Sequence, residues 1–290
     1  MPRAARATLP IKGRGMNHSI AIGIVALASL VPATLMVLRA GRAQEMEGAV
    51  RGIVPAGYWA VVAVAVAGPV AAAVFYLGWV WRTGLGPALW MTIAVSLTLF
   101  VVLAVSGSRL RRLDVLLFPY LLLLGIVAAV WGSAVGGVIS DAAPPAWIAV
   151  HVVAAVLTYS LLTLAAIAGV AVLIQERALK ARRRSFLGGY LPSLADSELL
   201  QVRLLTAAEA VLFIGLLSGM ATNYMEVGRI LPLDHKVLFS LGGFLVIGGL
   251  LAAHYRTGVR GRRAARFVLG AYLLLTLAFP GVKFVTDVLL

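Results

Sequence analysis

Eight stretches of roughly 18 or more residues, nearly free of charge, follow one another along this chain, and no fold in water can bury them all. Each is long enough to cross about 30 Å of hydrocarbon as a helix rising 1.5 Å per residue. They run near Ile20 to Leu38, Tyr58 to Val80, Ala88 to Val105, Val115 to Trp131, Trp147 to Ile174, Leu205 to Tyr224, Val237 to His254 and Phe267 to Val285. Hydrocarbon offers no partner to a backbone N–H or C=O, so only helices or closed barrels span it. The runs lack the alternation of a barrel strand. The expected fold is therefore all-α, a polytopic membrane bundle of about eight transmembrane helices. Pro32, Pro69, Pro119 and Pro280 fall inside spans and should kink them. Composition agrees: 61% of residues are hydrophobic and only 12% charged, about half the usual charged share.

The net charge of +14 does not point to nucleic acid, because the basic residues sit in short segments between apolar runs and leave no binding module over. The segments after the first, third, fifth and seventh spans hold seventeen Lys and Arg, and the alternating segments three, Arg82, Arg229 and Lys236. The rich side should be cytoplasmic, which puts both termini on the extracytoplasmic side of a bacterial inner membrane. Arg3, Arg6, Lys12 and Arg14 conflict with that orientation. Residues 1–15 are accordingly read as a non-native or disordered extension ahead of a start at Met16, with 16–290 a single integral membrane domain. A cleaved signal peptide ending near Ala43 is the alternative, but it would invert every later segment. With no cysteine, the chain forms no disulfide and attaches no haem covalently through its own thiols.

Few residues carry chemistry. His151 stands one turn into the fifth span, roughly 6 Å from its outer end, and His235 starts the seventh on the same side. An imidazole there can ligate haem iron through one nitrogen while a second group, Asp234 or Tyr159, holds the other. The plain alternative is a histidine bonded across the bundle and another in the interface, since two histidines define no metal geometry. His254 closes the seventh span beside a basic segment. Glu209 is the clearest ionisable group within a span; it should face the bundle or reach Arg203 or a loop arginine, as a structural ion pair rather than a proton relay. The segment 185–202, SFLGGYLPSLADSELLQV, reads either as an interfacial helix or as a linker docked on the bundle. No phosphate-binding loop, zinc pair or nucleophile elbow is present, so no enzyme is expected.

Three segments in order carry a resemblance: HVVAAVLTYSLLTLAAIAGVAVLIQERALK from His151, LLTAAEAVLFIGLLSGM with Glu209 and Gly219, and LPLDHKVLFSLGGFLVIGGLLAAHYRTGVRGRRAAR with Asp234, Lys236, His254, Gly261, Arg262 and Arg263. From about Leu113 to Leu290 the chain resembles the cytochrome c assembly protein family, the CcsA/HemX-like membrane proteins that handle haem, and in particular their small eight-span, YpjD-type branch. Larger members carry an external tryptophan-rich segment before the Asp-x-Lys element. This chain reads MATNYMEVGRILPLD there, without tryptophan, and lacks the last external histidine. The resemblance implies a membrane accessory in haem handling and cytochrome c maturation, with His151 in the place of the upstream external histidine and His254 in that of the intramembrane one. Its implied associates are the bilayer, non-covalently held haem and other cytochrome c assembly proteins. Two further readings stand beside it: a small-solute or ion permease, from Glu209 and the proline-bearing spans, and a regulator or scaffold that docks a membrane partner through its arginine loops.

Overall fold

A computed structural model of the chain describes residues 12–47, 57–79, 84–107, 110–131, 144–181, 189–228 and 235–281. These contain eight long helices and no strand. They are α1 Lys12–Glu47, α2 Tyr58–Trp79, α3 Leu85–Ser106, α4 Asp114–Val130, α5 Pro145–Ala181, α6 Leu194–Val227, α7 His235–Thr257 and α8 Gly261–Thr276. A 3-10 turn, Leu110–Leu113, leads into α4, and a π-helical turn, Leu277–Gly281, extends α8. Over the described residues each expected apolar run coincides with one helix to within a residue, the last followed through the π turn to Gly281, and with those turns included there are eight helical stretches long and apolar enough to cross a membrane.

Several boundaries move outward: α1, expected over Ile20 to Leu38, runs from Lys12 to Glu47, and two later helices lengthen on their polar side. The fifth and sixth spans, expected to stop at Ile174 and to start at Leu205, belong to helices of 37 and 34 residues. The polar turns beyond the apolar run stay helical because backbone bonding does not depend on what the side chains face. At the start of α6, Ser193 is the cap: its Oγ accepts from the Asp196 backbone N–H at 3.2 Å, satisfying one of the donors a helix start leaves open. Of segment 185–202, residues 194–202 are thus the first turns of α6, while Tyr190 and Leu191 dock on the bundle. At 1.5 Å per residue α5 is roughly 55 Å long, well beyond the hydrocarbon thickness even at a 40° tilt.

Within the extension read for 1–15, α1 already includes residues 12–15, and residues 1–11 lie outside the described residues. The helices run on through Pro32, Pro69 and Pro119. At Pro280 the backbone widens into the π turn, as expected where a residue offers no N–H and its ring crowds the preceding carbonyl.

α5 is the central pillar. It packs along α6 and α8 and touches α3, which ties it to the group formed by α1 to α4; α7 closes the second half against α6 and α8. The core of the first half is aromatic, with Trp90, Phe100 and Phe118 fully enclosed and the two phenylalanines edge to face at 5.8 Å. Since consecutive helices alternate in direction, α5 and α7 start, and α6 and α8 finish, at one end of the bundle, the histidine end. Arg111, Arg112, Arg177, Lys180, Arg256, Arg260, Arg262 and Arg263 gather at the opposite, basic end.

Candidate functional site

His151 projects from the second turn of α5 against α6. Its Nδ1 lies 3.1 Å from the Gly215 carbonyl oxygen and 3.2 Å from Ser218 Oγ. A carbonyl only accepts, so Nδ1 carries the proton and Nε2 keeps its lone pair. Ser218 in turn donates to Gly215 O at 2.9 Å, which fixes the group on both sides. The ring lies close against Gly219: a Cβ there would meet His151 Cε1 at 2.9 Å. The local sequence explains the close approach, since Gly215-Leu-Leu-Ser-Gly219 spaces two glycines one helical turn apart and lets α5 come close.

The support expected from Asp234 or Tyr159 is therefore supplied by Gly215 and Ser218. Tyr159 does face the same space. A cavity of about 170 Å³ runs down from His151 between α5, α6, α7 and α8, lined among others by Thr158, Tyr159, Ser240, Leu275 and Phe279. Beneath it lies a chain of hydroxyls. Tyr159 stacks on Tyr272 with ring centroids 5.4 Å apart, and its Oη lies 3.1 Å from Thr276 Oγ1. Tyr272 Oη reaches Tyr159 Oη at 3.2 Å, lies 3.4 Å from Thr163 Oγ1 and is hydrogen-bonded to Tyr120 Oη of α4.

His235 is exposed at the first residue of α7, on the histidine end with His151. Asp234 lies outside the described residues, as does the side chain of Lys236. His254 is at the other end of α7, roughly 28 Å along the helix from His235 at 1.5 Å per residue, and shares no site with His151. Its Nδ1 donates to Val259 O at 3.0 Å, fastening the turn into α8. Arg262 and Arg263 are exposed in the first turn of α8. That helix begins at Gly261 with φ 64, a left-handed backbone that favours glycine. Glu176 Oε1 and Glu198 Oε1 stand within 3.3 and 3.6 Å of where a Gly261 Cβ would be, and carboxylates at a helix N-terminus face the positive end of its dipole.

Glu209 turns toward α7, where a Cβ on Gly248 would meet its Oε1 at 2.9 Å. It faces the bundle as expected. The ion pair does not form among the described residues, and Oε2 is buried without a hydrogen-bond partner there.

A second polar cluster carried no signal in the sequence reading. At the basic end Asp114, 1% exposed at the start of α4, accepts from Tyr58 of α2 at 3.0 Å and from Tyr190 at 3.1 Å. Burial first, and then the neighbouring carboxylate, hold the Tyr190 phenol above its ordinary range, so it stays a donor. Gln175 Nε2 donates to Leu191 O and Pro192 O at 3.3 and 2.8 Å. The link between α5 and α6 is thereby pinned to both halves of the bundle.

Haem, implied by the resemblance, meets a divided fit. His151, its Nδ1 held and its Nε2 lone pair unused by the described hydrogen bonds, has the form of an axial ligand. The cavity of about 170 Å³ is smaller than the roughly 300–1,000 Å³ of pockets that enclose drug-sized ligands, so a macrocycle held by His151 stays outside it. Among the described residues no three His, Asp or Glu side chains gather as a metal site.

Comparison with known proteins accords with this architecture. The family described as Cytochrome C assembly protein matches residues 83–290. An Azospirillum brasilense protein described as an uncharacterized 28.8 kDa protein in the nifR3-like 5' region is 47% identical over 275 residues, covering 95% of this chain and 100% of that protein. No solved structure matches. With eight membrane-spanning helices and a match over well more than half its length, the chain belongs to the cytochrome c assembly protein family, and membership supports a role in cytochrome c maturation.

Proposed function

We propose that this protein is a non-enzymatic accessory of cytochrome c maturation in the bacterial inner membrane, contacting haem through His151 at the extracytoplasmic face. The observation that carries the reading is the imidazole itself. Its Nδ1–H is committed to the Gly215 carbonyl at 3.1 Å, which sets the tautomer, aims the ring and makes Nε2 a better donor to iron. His235, exposed on the same end, is the candidate second contact. Haem supplies the redox-active iron when bound; the chain's own part is to hold and orient it from one side, leaving the rest of the group accessible to a partner. The charge asymmetry supports the orientation, since the basic end should remain cytoplasmic.

Titration of haem into the detergent-purified protein tests the assignment. His151→Ala should weaken binding at least tenfold and shift the Soret band. Unchanged affinity and spectrum in that variant would remove His151 as the ligand.

A further inference from the structure

Beyond haem, the cavity below His151 has a chemistry of its own. Its lining combines apolar walls, Ala155, Leu212 and Leu275 among them, with four polar side chains: His151, Thr158, Tyr159 and Ser240. Thr158 stands out. Threonines at 34, 92, 98, 163, 206, 222, 257 and 276 each donate to the carbonyl four residues back, at 2.7 to 2.9 Å. Thr158 makes no such bond. Its Oγ1 is buried in a residue 3% exposed and has no partner among the described residues. A buried hydroxyl left unpaired costs about 1–3 kcal/mol, whereas the same hydroxyl beside a mostly apolar space that holds a few other polar groups can bond to water there. Water held in such a space needs room and two to four polar partners. At roughly 30 Å³ of liquid volume per molecule, about 170 Å³ has room for several.

We propose that this cavity is a water-binding site, and that its waters join Thr158, Ser240 and the His151 imidazole to the hydroxyl chain of Tyr159, Tyr272 and Tyr120. The result is a continuous hydrogen-bonded file from the histidine end of α5 to the contact between α4 and α8. It belongs to the haem-free protein, in which the Nε2 lone pair is available to water, and does not depend on the haem assignment. The site is a property of the second half of the bundle, since α5, α6, α7 and α8 all line it.

Two measurements on the haem-free protein test the proposal. Hydroxyl-radical footprinting generates radicals from bound water, so in the wild type Tyr159, only 3% exposed, should be oxidised several-fold faster than Phe118, which is 0% exposed in the dry core of the other half. Thr158→Val keeps the shape and deletes the hydroxyl. It should lower Tm and slow Tyr159 oxidation several-fold if the hydroxyl holds water. Tyr159 oxidised no faster than Phe118, or a Thr158→Val variant with Tm raised, would overturn the proposal; a lipid chain in the cavity gives both results. A small organic occupant leaves Tyr159 protected and overturns it as well.

Discussion

Single residues here act through what lies opposite them more than through their own type. His151 shows it best. Composition and spacing left it open between a ligand and an ordinary bundle histidine. What distinguishes it is the partner pair on α6, Gly215 O and Ser218 Oγ, separated from it by 64 and 67 positions. Only the GxxxG spacing hinted at a close helix contact there. Gly219 is the position where this arrangement is most easily disturbed. Gly219→Ala would bring a methyl to 2.9 Å from the imidazole Cε1, so the ring must turn and its Nδ1 bond must lengthen. We expect haem affinity to fall several-fold in that variant while the helices stay folded; circular dichroism with the same Soret titration measures both. Glu209 is the contrary case. The sequence marked it as the conspicuous ionisable residue of a span, and the bundle sets it against Gly248 without an ion pair among the described residues.

At the scale of elements, what was legible was set by hydrophobicity. The eight apolar runs predict the eight helices because a backbone in hydrocarbon has no other way to satisfy its groups. The same signal falls silent where a helix leaves the hydrocarbon, which is why α5 and α6 reach past Ile174 and begin before Leu205. Ser193, three residues ahead of Asp196, was the local mark of the earlier start. Contacts between distant elements left no such mark: Tyr58 and Tyr190 meet Asp114 across 56 and 76 positions. Removing this clamp should loosen the link between α5 and α6. Tyr190→Phe is expected to cost about 1 kcal/mol, and Asp114→Ala, which strands the buried Tyr58 phenol and the half-buried Tyr190 phenol, about 2–4 kcal/mol. Unfolding in mixed micelles, followed by tryptophan fluorescence, would show the order of the two effects.

For the whole molecule, alternating helix direction and the distribution of charge divide the bundle into a histidine end and a basic end. Reporter fusions check which faces which compartment. An alkaline phosphatase fused near 143 should be active and one near 188 inactive, with the reverse for a cytoplasmic reporter; opposite signals would turn the molecule over and with it the assignment of His151 to the outer face. The length of α5 and α6 has its own consequence. A pair of helices far longer than the hydrocarbon is thick, with His151 near one margin, stands clear of the lipid at the other. Leu179 and Leu199, 64% and 52% exposed, lie on that overhang, past the apolar runs that end at Ile174 and begin at Leu205. Whatever nears the bilayer from that side meets a stiff pair of helices studded with charges of both signs, Glu176, Arg177, Lys180, Asp196, Glu198 and Arg203.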